Sequence, residues 1–405
     1  MKRVLILYAK YGGGHLSAAN SIATYIEQNY PGSRIEVIDC VEYVTPFLSK
    51  VTTDAYKYMA KKAPKLWKKV YYNSPKGVLY KASNISKKYL ANRLLDVFKR
   101  FLPDIVISVH PFGSQITAYL KEQGKIECEL ATVFTDFKTH PQWLVGKEFN
   151  DYFFVSNESM KQELLDLNIS ENKIYITGVP LSDKFTFLSD TESIYTQHKL
   201  DKNKKTILFF GGGEFGLGHK CTVQVLRTLT NYLDKYQIFA ISGKNKKMNN
   251  EFLKLYNELK NDNLHIYKYT NQVPELMSIS SLVVTKPGGL TSSESLASDL
   301  PLLIINPIPG QEEENAEYLE NSGAAIWLKD MDNIAEVVDN ILSDENKLEE
   351  MKKCATAISH KDSTKEICKI VMECKKGRFR FSNLEIEKWR YLSISKFGNR
   401  NRPLL

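Results

Sequence analysis

The sequence predicts an α/β protein made of two doubly wound parallel halves. Three observations carry that expectation. Short apolar, β-branched runs recur between stretches of helical period, the alternation of parallel strands with crossover helices. A strand, a glycine loop and a helix follow one another twice, at residues 5–19 and again at 207–221. The chain has 405 residues, too many for one ordinary core and enough for two domains of about 200 each.

In chain order, the first half offers RVLILYA, RIEVIDC, DIVISVH, LATVFTD, DYFFVS and KIYITG as strands. Each is short and almost continuously apolar, as a strand covered on both faces must be. The second half offers KTILFFGG, QIFAISG, LHIYKY, SLVVTKPGG and PLLIINP. Between them, after Gly178-Val179-Pro180, lies a polar stretch without apolar period. The expected division is therefore 1–180 for the first domain, 181–205 for a linker and 206–377 for the second domain. A basic tail, 378–405, is expected to be helical and to pack back on the first domain.

Residues 47–101 interrupt the rhythm. They are helical in period and rich in aromatics (among them Trp67, Tyr71, Tyr72 and Phe98), with Pro64 and Pro75 dividing them. From Lys50 to Arg100 fourteen Lys and Arg face only Asp54 and Asp96, a net of +12 in a chain whose total is +8. This one insert makes the protein basic and marks a surface for something anionic and oily. Basic residues interleaved with aromatics also suit single-stranded nucleic acid, and a merely solvated basic face is a third reading. No stretch approaches the roughly 20 apolar residues of a membrane span, and no signal-peptide pattern precedes the first glycine loop. The chain is thus expected to fold in the cytoplasm. Six scattered cysteines without a C-x-x-C pair suggest buried or free thiols.

The glycine loops let the backbone turn sharply while the following helix offers unpaired N–H groups to an anion. Neither is a G-x-x-x-x-G-K-[ST] phosphate loop. Gly211, Gly213 and Gly216 satisfy G-x-G-x-x-G, which raises a dinucleotide enzyme, but QIFAISGKN lacks the acid expected after the next strand. In the first half Asp39 supplies that acid, yet Ser17 replaces the third glycine. His15 opens the first helix beside Gly13 and Gly14. It is either a packing histidine or a base: a positive helix end lowers an imidazole's pKa, and a neutral imidazole accepts a hydroxyl proton.

TKPGGLTSSESLASDLPLLIINPIPGQEEENAEYL is the most specific segment. Two strands end in Lys286-Pro287-Gly288-Gly289 and in Pro309-Gly310, and each turn opens a helix toward the same sheet edge, where open α/β sheets bind ligands. Glu294, in the second turn of the first helix, is placed to accept two ribose hydroxyls, and Gln311 and Glu312 to hold sugar hydroxyls. Ordinary capping with first-turn acids explains the acids but not the paired turns. Asp330-Met331-Asp332 resembles a metal-holding D-x-D but reads as a helix cap. Helix N-termini that neutralise a diphosphate make a divalent ion unnecessary, so no metal and no cofactor are expected.

In order and spacing, YGGGHLSAA, SVHPF, TDFKTHPQW, FFGGGEFGLG, TKPGGLTSSESLA and PIPGQEEENA resemble the monogalactosyldiacylglycerol synthases and bacterial processive diacylglycerol glucosyltransferases, relatives of the MurG-type glycosyltransferases. The likeness runs to about Glu320. It implies a GT-B architecture, two Rossmann-like domains facing a central cleft, with the UDP-sugar in the second and the lipid acceptor in the first. It further implies that Glu294 binds ribose, that Gly288, Gly289 and Leu290 cradle the diphosphate with Lys286 beside them, and that Gln311 and Glu312 meet the sugar. Tyr269 and Thr270 would meet the uracil, and Gly211, Gly212 and Gly213 the sugar and phosphates. His15, with Asp136 as rival, would be the base, while Gly13, Gly14, His110, His140 and Trp143 border the acceptor. Lys61, Lys62, Lys65, Trp67, Lys68, Lys69, Tyr71 and Tyr72 would dock on an anionic membrane, each cation contributing roughly 1 kcal/mol and the aromatics the apolar anchor. The expected protein is a peripheral, inverting transferase on the cytoplasmic face of the cell membrane, moving a hexose (glucose before galactose) to diacylglycerol, once or repeatedly, without nucleic acid. A UDP-N-acetylglucosamine 2-epimerase of the same architecture and a non-catalytic UDP-sugar sensor are the alternatives.

Overall fold

The computed structural model describes residues 2–10, 13–44, 78–186, 190–212, 219–330 and 333–373. Two six-stranded parallel sheets organise them. The first contains β1 (Arg3–Tyr8), β2 (Arg34–Asp39), β3 (Ile105–Ser108), β4 (Glu129–Val133), β5 (Tyr152–Val155) and β6 (Ile174–Ile176), in the order β2-β1-β3-β4-β5-β6. The second contains β7 (Lys205–Phe210), β8 (Tyr236–Ile241), β9 (Leu264–Tyr267), β10 (Ser280–Thr285), β11 (Leu302–Ile304) and β12 (Ala325–Trp327), in the order β12-β11-β10-β7-β8-β9. All eleven strands expected from the sequence form. The twelfth, β12, has only three residues, too few to show a pattern, and exists because Leu302–Ile304 offers it a parallel edge.

In each sheet the strand order reverses once, and the crevice at such a switch point is where ligands bind. In the first sheet it lies between β1 and β3, whose ends lead to the His15 loop and to His110. In the second it lies between β7 and β10, whose ends lead to Gly211-Gly212 and to the Lys286–Gly289 turn. Both glycine-bearing edges are thus products of topology.

Two expectations meet a different arrangement. The helix Val78–Phe101 ends as a core element: Leu90, Leu94 and Phe98 are buried, so Phe98 belongs to packing and not to an oily surface. The insert's cationic residues from Lys61 to Lys69, with Trp67, Tyr71 and Tyr72, lie outside the described residues, as do Gly213, Asp332 and the tail 378–405. The helix Ser363–Glu373, assigned by sequence to the second domain, crosses back to the first. Its Ile367, Cys368 and Val371 are buried beside Ile22 and Ile26. Burial stabilises such side chains by about 1.5–3 kcal/mol each for those of aliphatic size. Ser363 Oγ and Thr364 Oγ1 donate to the Val179 and Leu181 carbonyls (2.8 and 2.7 Å), fastening the crossing at the seam. Cys40 and Cys128 are buried free thiols, and burial pushes both well above the ordinary thiol range, Cys128 to about 12. Among the described residues no helix is long and apolar enough to cross a membrane.

Candidate active site between the domains

The first domain contributes three histidines, and the main chain fixes their tautomers. His15, in the helix Gly14–Asn29, places Nδ1 2.8 Å from the Val109 carbonyl and 3.3 Å from Thr135 Oγ1. A carbonyl only accepts, so Nδ1 carries the hydrogen, and the neutral ring keeps its lone pair on Nε2. Burial lowers the affinity of this ring for a second proton, against the opposing charge of Asp136 and the Val109 hydrogen bond. The ring is therefore a neutral acceptor near pH 7. His110 and His140 have the reverse tautomer, because their Nδ1 atoms accept from the N–H groups of Phe112 and Gln142, both at 3.2 Å. His110 lies edge-on to His15 at 4.7 Å, and burial, with His15 beside it, holds its pKa well below the usual imidazole value. Trp143 is buried against Phe134 and reaches His110 at 6.5 Å.

These groups line a cavity of about 90 Å³ together with Pro111, Asp136, Lys138 and Gln311. Ligand pockets commonly run to about 300–1,000 Å³, so this cavity has room for part of a ligand only, beside the histidines. Pro111 and Lys138 were missed by sequence reasoning; Lys138, ion-paired with Glu163 at 2.7 Å, carried no signal beyond its place in TDFKTH.

The second domain supplies Gln311 to the cavity and, against Thr135 and Asp136, the turn Lys286–Gly289. The helix Gly289–Ala297 starts at Gly288 without a side-chain cap, which leaves its first N–H groups without a side-chain acceptor from the cap, the condition under which a helix start can take an anion. A Cβ on Gly288 would meet nothing within 4 Å. Gly212, at φ +84°, faces Lys286, with a hypothetical Cβ 3.9 Å from Cε, whereas Gly211 is a packing glycine against Phe252 and Met248. Glu294 is half-buried, its side chain has no hydrogen-bond or ion-pair partner among the described residues, and burial pushes its carboxyl up to about 8. Glu312 is anchored: its carboxylate accepts from Lys286 Nζ (3.3 and 3.4 Å) and from the Ile308 N–H (2.6 Å). Glu313 caps the Gly310 N–H, so two of the three consecutive acids serve their own turn. Tyr269 is 65% exposed under Lys244 Nζ at 5.7 Å, and Thr270 Oγ1 caps Gln272 N–H. Asp39, the acid that raised a dinucleotide reading, is consumed by the N–H groups of Lys10, Val41 and Glu42.

The domains touch closely at Gly289. A Cβ there would stand 1.8 Å from the Thr135 carbonyl oxygen, and one on Gly14 would stand 3.6 Å from Leu290 Cβ. Both Asp136 carboxylate oxygens are taken by amides of the second domain, Gln311 Nε2 and Asn315 Nδ2. Gly289→Ala should therefore hold the domains apart. Urea unfolding should show a loss of about 1–3 kcal/mol, and activity should fall; unchanged activity would mean that this contact is not part of the working state.

The fold and this cleft define the class. MurG from Acinetobacter baumannii superposes with a TM-score of 0.63 at 15% identity, covering 92% of this chain and 100% of that one. UDP-GlcNAc 2-epimerase from Neisseria meningitidis, in a structure bound to UDP-GlcNAc, superposes with a TM-score of 0.62 at 16% identity, covering 92% and 100%. The chain has the GT-B fold, and a monogalactosyldiacylglycerol (MGDG) synthase model matches residues 15–181 while a glycosyltransferase family 28 C-terminal domain model matches 206–367. It is 32% identical over 360 residues to a processive diacylglycerol β-glucosyltransferase of Bacillus cereus, covering 88% of this chain and 89% of the relative. With the protein of the same description from Staphylococcus carnosus it shares 29% over 369 residues, covering 91% and 92%. The chain belongs to this family of diacylglycerol glycosyltransferases.

Proposed function

We propose that the protein transfers a hexose, glucose in the first instance, from a UDP-sugar to the free hydroxyl of 1,2-diacylglycerol, with inversion at the anomeric carbon. The observation that carries the reading is His15: a neutral imidazole with its lone pair on Nε2, on the cavity where the two domains meet. Its Nε2 takes the acceptor's hydroxyl proton as the oxygen attacks the anomeric carbon; the bond from that carbon to the UDP oxygen breaks, and UDP leaves with the electron pair. The charge on the leaving diphosphate is met by the N–H groups of Gly288, Gly289 and Leu290 and by Lys286. Glu294 accepts the ribose hydroxyls, and Gln311 with Glu312 holds the hexose. Asp136 is a poorer base, since amide donors occupy both its oxygens. His110, His140 and Trp143 border the acceptor. The cationic, aromatic insert brings the enzyme to the anionic cytoplasmic face of the membrane.

The test is incubation with diacylglycerol liposomes and separate UDP-sugars, followed by mass analysis of the lipid. A glycosyldiacylglycerol is expected with UDP-glucose, and further hexose increments would show repeated transfer. Conversion of UDP-N-acetylglucosamine to its 2-epimer without lipid, or nucleotide binding without product, would replace the reading by its alternatives.

A pH effect follows from Glu294. Ribose hydroxyls donate to the ionised carboxylate, so UDP binding expels the proton that the free site holds below about pH 8. Affinity should rise with pH from 6 and level off near 8. Calorimetry in two buffers of different ionisation enthalpy should register about one proton released below pH 7; a pH-independent affinity would separate Glu294 from the ribose.

A further inference from the structure

Asn315 is fully buried one helical turn after Gln311, and its side-chain hydrogen bonds reach two pieces of the site. Its Nδ2 donates to Asp136 Oδ1 and to the Pro287 carbonyl, both at 3.0 Å, while its Oδ1 accepts from the Phe137 N–H at 3.0 Å. One side chain therefore ties the β4–β5 loop of the first domain to the diphosphate turn of the second. Around this bond the loop is embedded in the second domain. The Phe137 ring is buried with Leu296, Ala316 and Leu319 and stacks on Tyr318 at 5.1 Å. Thr135, one residue before Asp136, touches His15 on one side and Gly289 on the other.

We propose that Asn315 is a positioning residue that sets the distance between the proton-accepting ring of His15 and the diphosphate turn. The path runs from Pro287 through the Asn315 amide to Asp136 and Thr135, and from Thr135 to His15. An amide is required: a carboxylate could accept from Phe137 N–H but could not donate to Asp136 or Pro287, and it would place two carboxylates side by side. Asn315 touches neither the reacting atoms nor the ribose site, so it acts on turnover through geometry. A misplacement of about an ångström is enough to cost roughly 100-fold in rate.

The inference rests on the proposed transfer reaction, and two measurements on the full chain keep them separable. In Asn315→Ala and in the isosteric Asn315→Asp, hydrogen–deuterium exchange should accelerate at least about tenfold in peptides covering 135–137 and 286–290 but not in the distant helix Lys246–Leu259. With UDP-glucose and diacylglycerol liposomes, kcat should fall roughly 100-fold while the dissociation constant for UDP changes less than about threefold. Unchanged exchange at both segments, acceleration in all three, or a loss of UDP affinity matching the loss of kcat would overturn the proposal. Absence of glycolipid from the unmodified enzyme would instead defeat the transfer reaction, leaving the exchange result to decide whether Asn315 joins the two segments.

Discussion

Glu294→Ala is expected to raise the dissociation constant for UDP about 100-fold. The carboxyl group is half-buried, without a partner among the described residues, and held protonated up to about pH 8 by burial. A hydrogen bond to a charged group contributes about 1.5–3 kcal/mol, and two ribose hydroxyls on one carboxylate put the loss near 3 kcal/mol after the cost of ionising the site. Since about 1.4 kcal/mol is tenfold, that corresponds to roughly two decades. The effect should be the same for UDP and UDP-glucose, because it resides in the ribose, and kcat at saturating donor should change little. Removing an isolated buried carboxyl should also leave the fold intact or slightly more stable. Equal UDP affinities in the two proteins would remove Glu294 from the nucleotide site.

His15→Asn should lower kcat by about 100-fold to 10,000-fold, the range for loss of a positioned base. Asparagine is the informative substitution, because its Nδ2 can still donate to the Val109 carbonyl while nothing replaces the Nε2 lone pair. Alanine would add an unpaired carbonyl, at about 1–3 kcal/mol, and mix stability with chemistry. UDP affinity should stay within about twofold, since the proposed donor contacts all lie on the second domain. Turnover close to that of the unmodified enzyme would transfer the role of base to Asp136, despite the two amides on its oxygens.

Local chemistry made much of this site legible before any coordinates. Strands buried on both faces read as apolar runs, and glycine turns followed by helices announce an anion site. The helix starts point to Glu294, Gln311 and His15, the resemblance implies the same roles, and the fold brings His15 and Gln311 to one cavity. What could not be read is long-range. Asn315 sits in QEEENAEYL as an ordinary helical polar residue, and only its spacing of four from Gln311 hints at a shared face. Phe137 looks like a strand-end aromatic of the first domain, yet it completes the core of the second. The return of Ser363–Glu373 to the first sheet is equally silent in sequence, because an amphipathic helix does not state which apolar face it will cover. Glu312 shows the same limit at short range. Its position at a helix start is legible, but its pairing with Lys286, 26 residues earlier, is a property of the folded edge.

The account depends on where the nucleotide's negative charge is held, and a crystal structure with UDP bound tests it most directly. The diphosphate should lie on the N–H groups that begin the helix Gly289–Ala297, with the ribose hydroxyls on the Glu294 carboxylate. A nucleotide seated at the His15 glycine loop of the first domain, or joined to Asp330 through a metal ion, would contradict it.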